Sequence, residues 1–158
     1  MLATELIEVY KIDGFAEEAF KEFRVKKGIV CKKCGCHRHY WLTSKSQFQC
    51  RLCRFRTTLR SGTMLEGSKL PYSYFFIAVH LLIKYGNVLS IEEFQRHTGH
   101  KYSDPLWDFL RKIKKYIKEN DQNIVLLDFM EVVNLNLSKS KLNTQVHVHA
   151  DNESVYES

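Results

Sequence analysis

Proline is scarce in this 158-residue chain, with two residues, Pro71 and Pro105. Low-complexity tracts and internal repeats are missing as well, and charged residues make up 27%. That value lies near the globular norm and excludes a wholly disordered chain. Long hydrophobic runs are also lacking. The longest, YFFIAVHLLI from Tyr74 to Ile83, is about half of the roughly twenty residues that cross a membrane, so a buried helix is expected. The N-terminal residues MLATELIEVYKIDGF show no basic segment followed by an apolar run, so no export signal is expected. A soluble, cytoplasmic protein without a membrane partner follows as the expectation. Cysteine is absent outside residues 31–53, and acid is nearly absent from Lys21 to Ser61.

That last absence has a positive counterpart. Twelve Lys and Arg residues lie between Lys21 and Ser61 against the single acid Glu22. From Glu119 onward the balance reverses, with seven acids and two lysines. A basic block of this strength points to a polyanion, most often nucleic acid, although charge alone is equally consistent with a solvated face.

The cysteines follow the pattern Cys31-x2-Cys34-x15-Cys50-x2-Cys53. Each C-x-x-C forms a tight knuckle that aims two thiolates at one point, and two knuckles complete a tetrahedral zinc site. The spacer falls in the zinc-ribbon window and reads as a β-hairpin, with HYWLT and QFQC as strands and SKS as the turn. Disulfides would need an oxidising compartment, and a redox C-x-x-C would leave the second pair unexplained. One structural Zn2+ on Cys31, Cys34, Cys50 and Cys53 is therefore expected. Cys36, His37 and His39 are read as non-ligands, with Cys36 donating a weak S–H bond within the knuckle and the histidines meeting phosphate.

Around this centre the chain reads as helical. ATELIEVY (3–10) and the segment after Asp13-Gly14 make two short helices, closed by Gly28. After Cys53, Phe55, Thr57 and Leu59 alternate with Arg54, Arg56, Thr58 and Arg60, the period of a half-buried strand with a row of arginines in solvent. KLPYSYFFIAVHLLIKYG (69–86) is apolar almost all round and is expected at the centre of the core, with His80 packed inside it. Ser90 and Glu93 stand in capping-box register before a two-turn helix that Gly99 terminates. DPLWDFLRKIKKYIKEN (104–120) follows, with Asp104 or Ser103 as its cap. Its Leu106, Phe109, Leu110, Ile113 and Ile117 form a core-facing stripe. A short helix, a glycine-containing turn and a longer basic helix read as helix-turn-helix, whose second helix meets base edges in the major groove. Any small helical bundle contains such segments, and the knuckles and basic strand upstream weigh toward DNA.

Taken in order, CKKCGCHRHYW, QFQCRLCRFRTTLRSGTMLEGSKLPYSYFFIAVHLL and LSIEEFQRHTGHKYSDPLWDFLRKIKK resemble the N-terminal part of bacterial insertion-sequence transposases that begin with a zinc-ribbon domain. The resemblance runs from about Phe15 to Tyr116. It implies zinc on Cys31, Cys34, Cys50 and Cys53, and a helix-turn-helix for transposon-end DNA. Full members of that family continue into a ribonuclease-H-like domain whose acidic residues bind two Mg2+ ions. Here IVLLDFMEVV (124–133) resembles the first catalytic strand, with Asp128 in the place of the first metal-binding aspartate. Only thirty residues follow it, whereas such a sheet needs on the order of a hundred. His147, His149, Asp151 and Glu153 are read as a solvated acidic tail rather than a metal site. No catalysis is expected.

The expected organisation is N-terminal helices (1–28), a zinc ribbon (29–68), a helical core with the helix-turn-helix (69–120), and a remnant strand with an acidic tail (121–158). The fold class is α+β, a small β zinc ribbon packed with a helical unit. Arg38 and Lys45 are read as DNA-binding, and phosphate contacts are assigned chiefly to Arg51, Arg54, Arg56 and Arg60. Base contacts are assigned to Lys101, Tyr102, Ser103, Arg111 and Lys112. The expected partners are double-stranded DNA, with transposon ends first, and a second copy of the chain or an intact transposase. Two alternatives stand beside this reading: a protein-interaction module whose basic block is solvated, and the DNA-binding piece of a split or frameshifted transposase.

Overall fold

In a computed structural model of the chain, residues 3–12, 14–143 and 155–157 are described. The fold is α+β. Two helices, α1 (Ala3–Tyr10) and α2 (Phe15–Lys27), lead into a hairpin of β1 (Arg38–Leu42) and β2 (Gln47–Cys50), which a short strand β3 (Arg56–Thr58) extends. Four helices follow: α3 (Tyr72–Tyr85), α4 (Ile91–Thr98), α5 (Asp104–Glu119) and α6 (Gln122–Asn143). A last strand, β4 (Val155–Glu157), pairs antiparallel with the free edge of β1, giving the sheet order β3-β2-β1-β4.

The hairpin forms where the alternation placed it. His39, Trp41, Phe48, Cys50 and Thr57 face inward, and Trp41 stacks edge-on against Phe48 at 4.7 Å. The turn is one 3-10 turn at Thr43–Lys45, closed by Ser46 in the left-handed region (φ 49°). Inward-facing residues of the sheet share one apolar cluster with the helices. α3 runs through its centre, with Phe75 to Val79 and Leu81 buried, as a helix apolar on nearly every side must be. His80 is half-buried beside Tyr10, whose hydroxyl lies 3.4 Å from its Nδ1.

The ends of α4 match their sequence signals. Ser90 Oγ accepts the Glu93 amide at 3.2 Å, and Gly99 (φ 69°) closes the helix with its N–H on the Gln95 carbonyl at 2.8 Å. For α5 the cap position falls on Ser103, with Asp104 the first helical residue and Pro105 the second. Leu106, Phe109, Leu110 and Ile113 are buried, and Phe109 stacks on Phe94 of α4 at 6.2 Å.

Residues 124–133, expected as a strand, lie within α6. The physical reason is visible on both sides of the segment. Asp121 Oδ1 caps the helix, accepting the Asn123 amide at 2.9 Å. Val125, Phe129, Val132 and Val133 then bury one face at helical spacing. A continuous apolar run does not distinguish strand from helix by itself. Asp128, placed by the resemblance at a metal site, instead meets Lys27 at 2.7 Å and Lys26 at 3.7 Å. Of the acidic tail, residues 144–154, with His147, His149, Asp151 and Glu153, lie outside the described residues.

Candidate functional site

The two C-x-x-C turns repeat one another bond for bond. Cys31 N–H donates to the Cys36 carbonyl and Cys50 N–H to the Phe55 carbonyl, both at 2.9 Å. Gly35 N–H returns to the Cys31 carbonyl at 2.9 Å, and Arg54 N–H to the Cys50 carbonyl at 3.0 Å. This closure needs a left-handed residue four positions after the first cysteine. The first turn uses Gly35 (φ 74°), which adopts it freely. The second holds Arg54 there (φ 64°), at a cost of about 1–2 kcal/mol.

The turns bring four thiols together. All four Sγ atoms of Cys31, Cys34, Cys50 and Cys53 lie within 4.8 Å of one another. The Cys31–Cys53 and Cys34–Cys50 pairs stand 3.5 Å apart. Sulfurs bound at about 2.3 Å around one tetrahedral ion are about 3.8 Å apart, so this donor set fits a metal ion. Burial, backbone amides and the neighbouring thiols shift the four cysteines in opposite directions. At Cys50 burial pushes the thiol up, but the amides of Cys53 and Leu52 and two neighbouring thiols outweigh it, leaving a pKa of about 6. Cys31 falls by the same contest between its burial and the amides of Cys34 and Lys33. At Cys34 the Cys36 amide pulls downward, but desolvation and the three other thiols push it above its ordinary value; Cys53 rises too. Four thiolates this close need a cation among them.

Cys36 stays out of the cluster. Its Sγ receives the Arg38 amide at 3.4 Å and lies 3.8 Å from the Arg38 carbonyl. His37 is exposed, but His39 cannot meet phosphate as the sequence suggested. It is buried on the inner face of β1 with neither ring nitrogen hydrogen-bonded, and burial pushes its pKa down.

The basic block divides. Lys21 is buried over the Trp41 ring, and Arg24 donates to the Leu59 carbonyl at 2.8 Å. Lys26 and Lys27 pair with Glu131 and Asp128 of α6, and Lys32 reaches Ser61 Oγ at 3.0 Å. The expected arginine row on one strand does not form either. β3 is three residues long, so Arg56 alone of the row lies on it. Arg54 sits in the second knuckle. Arg60 turns inward, donating to the carbonyls of Ser68 (3.0 Å) and Leu70 (2.6 Å) with its guanidinium over the Tyr72 ring at 4.1 Å. The positions left at the surface are Lys33, Lys45, Arg54 and Arg56, with Arg38 at the β1 edge opposite Glu157 and Arg51 over the Tyr40 ring.

A second basic surface lies at the connection between α4 and α5 (99–103). Gln95 Nε2 donates to the carbonyls of His100 (3.1 Å) and Lys101 (3.3 Å), and Tyr74 Oη meets His100 Nδ1 at 3.1 Å. Neither Gln95 nor Tyr74 stands out in the sequence; Gln95 acts five and six residues along the chain and Tyr74 across twenty-six. They hold the connection so that Tyr102 is 62% exposed, with Lys101 over its ring. Ser103 beside them is half-buried. Arg111 and Lys112 are both engaged by Asp108, at 2.7 and 2.9 Å. Sequence reading passed over Trp107, which is 59% exposed. With Arg111, Lys114 and Lys118 it follows the i, i+4, i+7, i+11 spacing, along one flank of the buried stripe. That register was the available signal.

No protein-family model, curated protein or solved structure matches this chain. No helix among the described residues is long and apolar enough to cross a membrane.

Proposed function

We propose that this protein is a zinc-stabilised binder of double-stranded DNA that recognises transposon ends without cleaving them. Zinc is the assignment for the four-thiolate site because tetrahedral S4 coordination suits it and the cysteines sit in two knuckles. The ion's role is structural: it closes a hairpin that has little core of its own on that side.

One observation carries the DNA reading. At the α4–α5 corner the buried Phe94–Phe109 stack fixes two helices, while Lys101, Tyr102 and Trp107 lie exposed around the start of the second. That is the placement by which a helix-turn-helix offers side chains to base edges. Arg54 and Arg56, beside the second knuckle, supply sequence-independent phosphate contacts. The Lys26–Lys27 engagement of Asp128 supports a non-catalytic reading, since this carboxylate already serves as a helix–helix contact. The chain acts in the cytoplasm on this reading, where thiols stay reduced and available to zinc.

The test is fluorescence anisotropy of labelled random duplex DNA with zinc-loaded protein across a salt series. Binding with a log–log salt slope of about −4 is expected for four or so phosphate contacts. Absence of salt-dependent binding refutes the reading.

A further inference from the structure

Helix α6 is apolar on both of its sides. One face, with Val125, Phe129, Val132 and Val133, is buried at 1–2% exposure. On other faces Ile124 (53%), Leu127 (69%), Met130 (45%) and Leu135 (48%) are open to solvent. Scattered exposed leucines are ordinary, but four large apolar side chains on the free side of one helix form a patch of the kind that marks an interaction surface. We propose that this outer face of α6 is the contact between two copies of the chain, paired antiparallel about a two-fold axis near Met130.

Charge selects the occupant. The chain carries a net charge of +6, so two copies approach best where neither presents cations. Among the described side chains, the outer face of α6 is such a place. The acids of its first four turns are already neutralised within the chain, Asp128 by Lys27 at 2.7 Å and Glu131 by Lys26. Lys139 further along is held by Glu22 at 3.2 Å. A neutral face repels DNA less than an acidic one but offers it no phosphate contact. A membrane-surface helix needs cations on its polar side, whereas here the side opposite the patch is core. A second copy meets the matching apolar groups, the amide of Asn134 and Glu131, whose charge Lys26 already balances.

Geometry allows the pairing to close on itself. In an antiparallel arrangement centred near Met130, Ile124 of one copy falls beside Leu135 of the other, and Met130 meets its own equivalent. Such a two-fold contact is self-complementary and stops at two copies. A helix of 22 residues is about 33 Å long. Two such helices side by side cover several hundred Å2 per copy, the small end of specific interfaces, so association in the micromolar range is expected. This inference does not depend on the DNA reading.

Sedimentation velocity of the zinc-loaded full chain, under reducing conditions from about 2 to 200 µM, tests it. The weight-average mass should rise from 18.7 kDa toward twice that value. Leu127→Asp with Met130→Asp should remain monomeric throughout, with the circular dichroism and melting of the parent, because both side chains are exposed. The neutral pair Leu127→Gln with Leu135→Gln should weaken association at least tenfold. Leu52→Asp, at an exposed apolar residue in the second knuckle (74%), should leave it unchanged. A parent chain that stays monomeric over the whole range overturns the proposal. So does a dimer that survives the double substitutions, or one that Leu52→Asp abolishes.

Discussion

On α2, Arg24 donates to the Leu59 carbonyl and Lys27 holds Asp128 at 2.7 Å, whereas in the ribbon Arg54 and Arg56 extend into solvent. All four belong to the same basic block. The difference lies in what surrounds them. The α2 cations face the backbone of 58–59 and the acids of α6, so they join elements. The knuckle arginines stand beside the four-cysteine cluster, whose closed turns leave their side chains outside. Arg60 shows that sequence position does not decide the matter, since four residues past Arg56 it is a clamp on α3's entry. A run of positive charge therefore overstates the basic surface left in solvent, here by about half.

The largest expected effect breaks the comparison at the ribbon. Removing zinc with a chelator, or substituting Cys50→Ser, should abolish the ordered hairpin, since structural zinc in small sites contributes on the order of 10 kcal/mol. The α2 contacts lie on the helical side, so helical circular dichroism should largely persist while the environment of buried Trp41 is lost. Metal analysis of the parent should find one zinc per chain, and Cys36→Ser should keep it.

Next in size is the contrast between Arg60 and Arg56. Arg60→Met removes two charge-assisted hydrogen bonds and should lower stability by about 2 kcal/mol, measured by urea unfolding, without altering the salt slope of DNA binding. Arg56→Gln should do the reverse, leaving stability unchanged and reducing the slope by about one unit. If both variants changed the slope equally, the division of the block drawn above would be wrong.

Arg54→Gly sharpens the comparison within one residue. It relieves the left-handed strain of the second knuckle and should stabilise the zinc-bound protein by about 1 kcal/mol, less the entropy that glycine adds to the unfolded chain. The same change should weaken DNA binding. Gly35→Ala, the matching position in the first knuckle, should destabilise.

At the α4–α5 corner, Trp107 offers a direct optical readout. Trp41 is buried, so quenching of exposed tryptophan emission on adding duplex DNA reports Trp107, and Trp107→Phe should remove it. Unquenched emission alongside clear DNA binding would move the contact surface away from α5.

The smallest effect concerns pH. Burial, with Lys84 and His97 nearby, pushes the His80 pKa below its ordinary value. The unfolded chain then binds the proton more readily than the folded one, so stability falls as pH drops through about 6.5 toward the lower folded pKa. Zinc-loaded His80→Gln should show a shallower fall between pH 7.5 and 6 than the parent, read by thermal melting.

Local signals in the sequence set much of this molecule. The two knuckles, the hairpin between them, the Ser90 cap, the Gly99 stop and the buried stripe of α5 all rest on residues a few positions apart, and short-range geometry specifies such features. The cysteine set was legible for the same reason, because each C-x-x-C builds its own turn. What tertiary structure alone decided is nonlocal. Residues 124–133 are helix rather than strand because α2 supplies the cations for Asp128 and Glu131 and the core receives Val125 and Phe129. Val155–Glu157 becomes a strand only because the β1 edge lies open beside it. Arg60 is turned inward by the carbonyls of Ser68 and Leu70, and Lys21 by the Trp41 ring. A residue's type fixes what it can donate, accept or bury, and only packing fixes which of these it does.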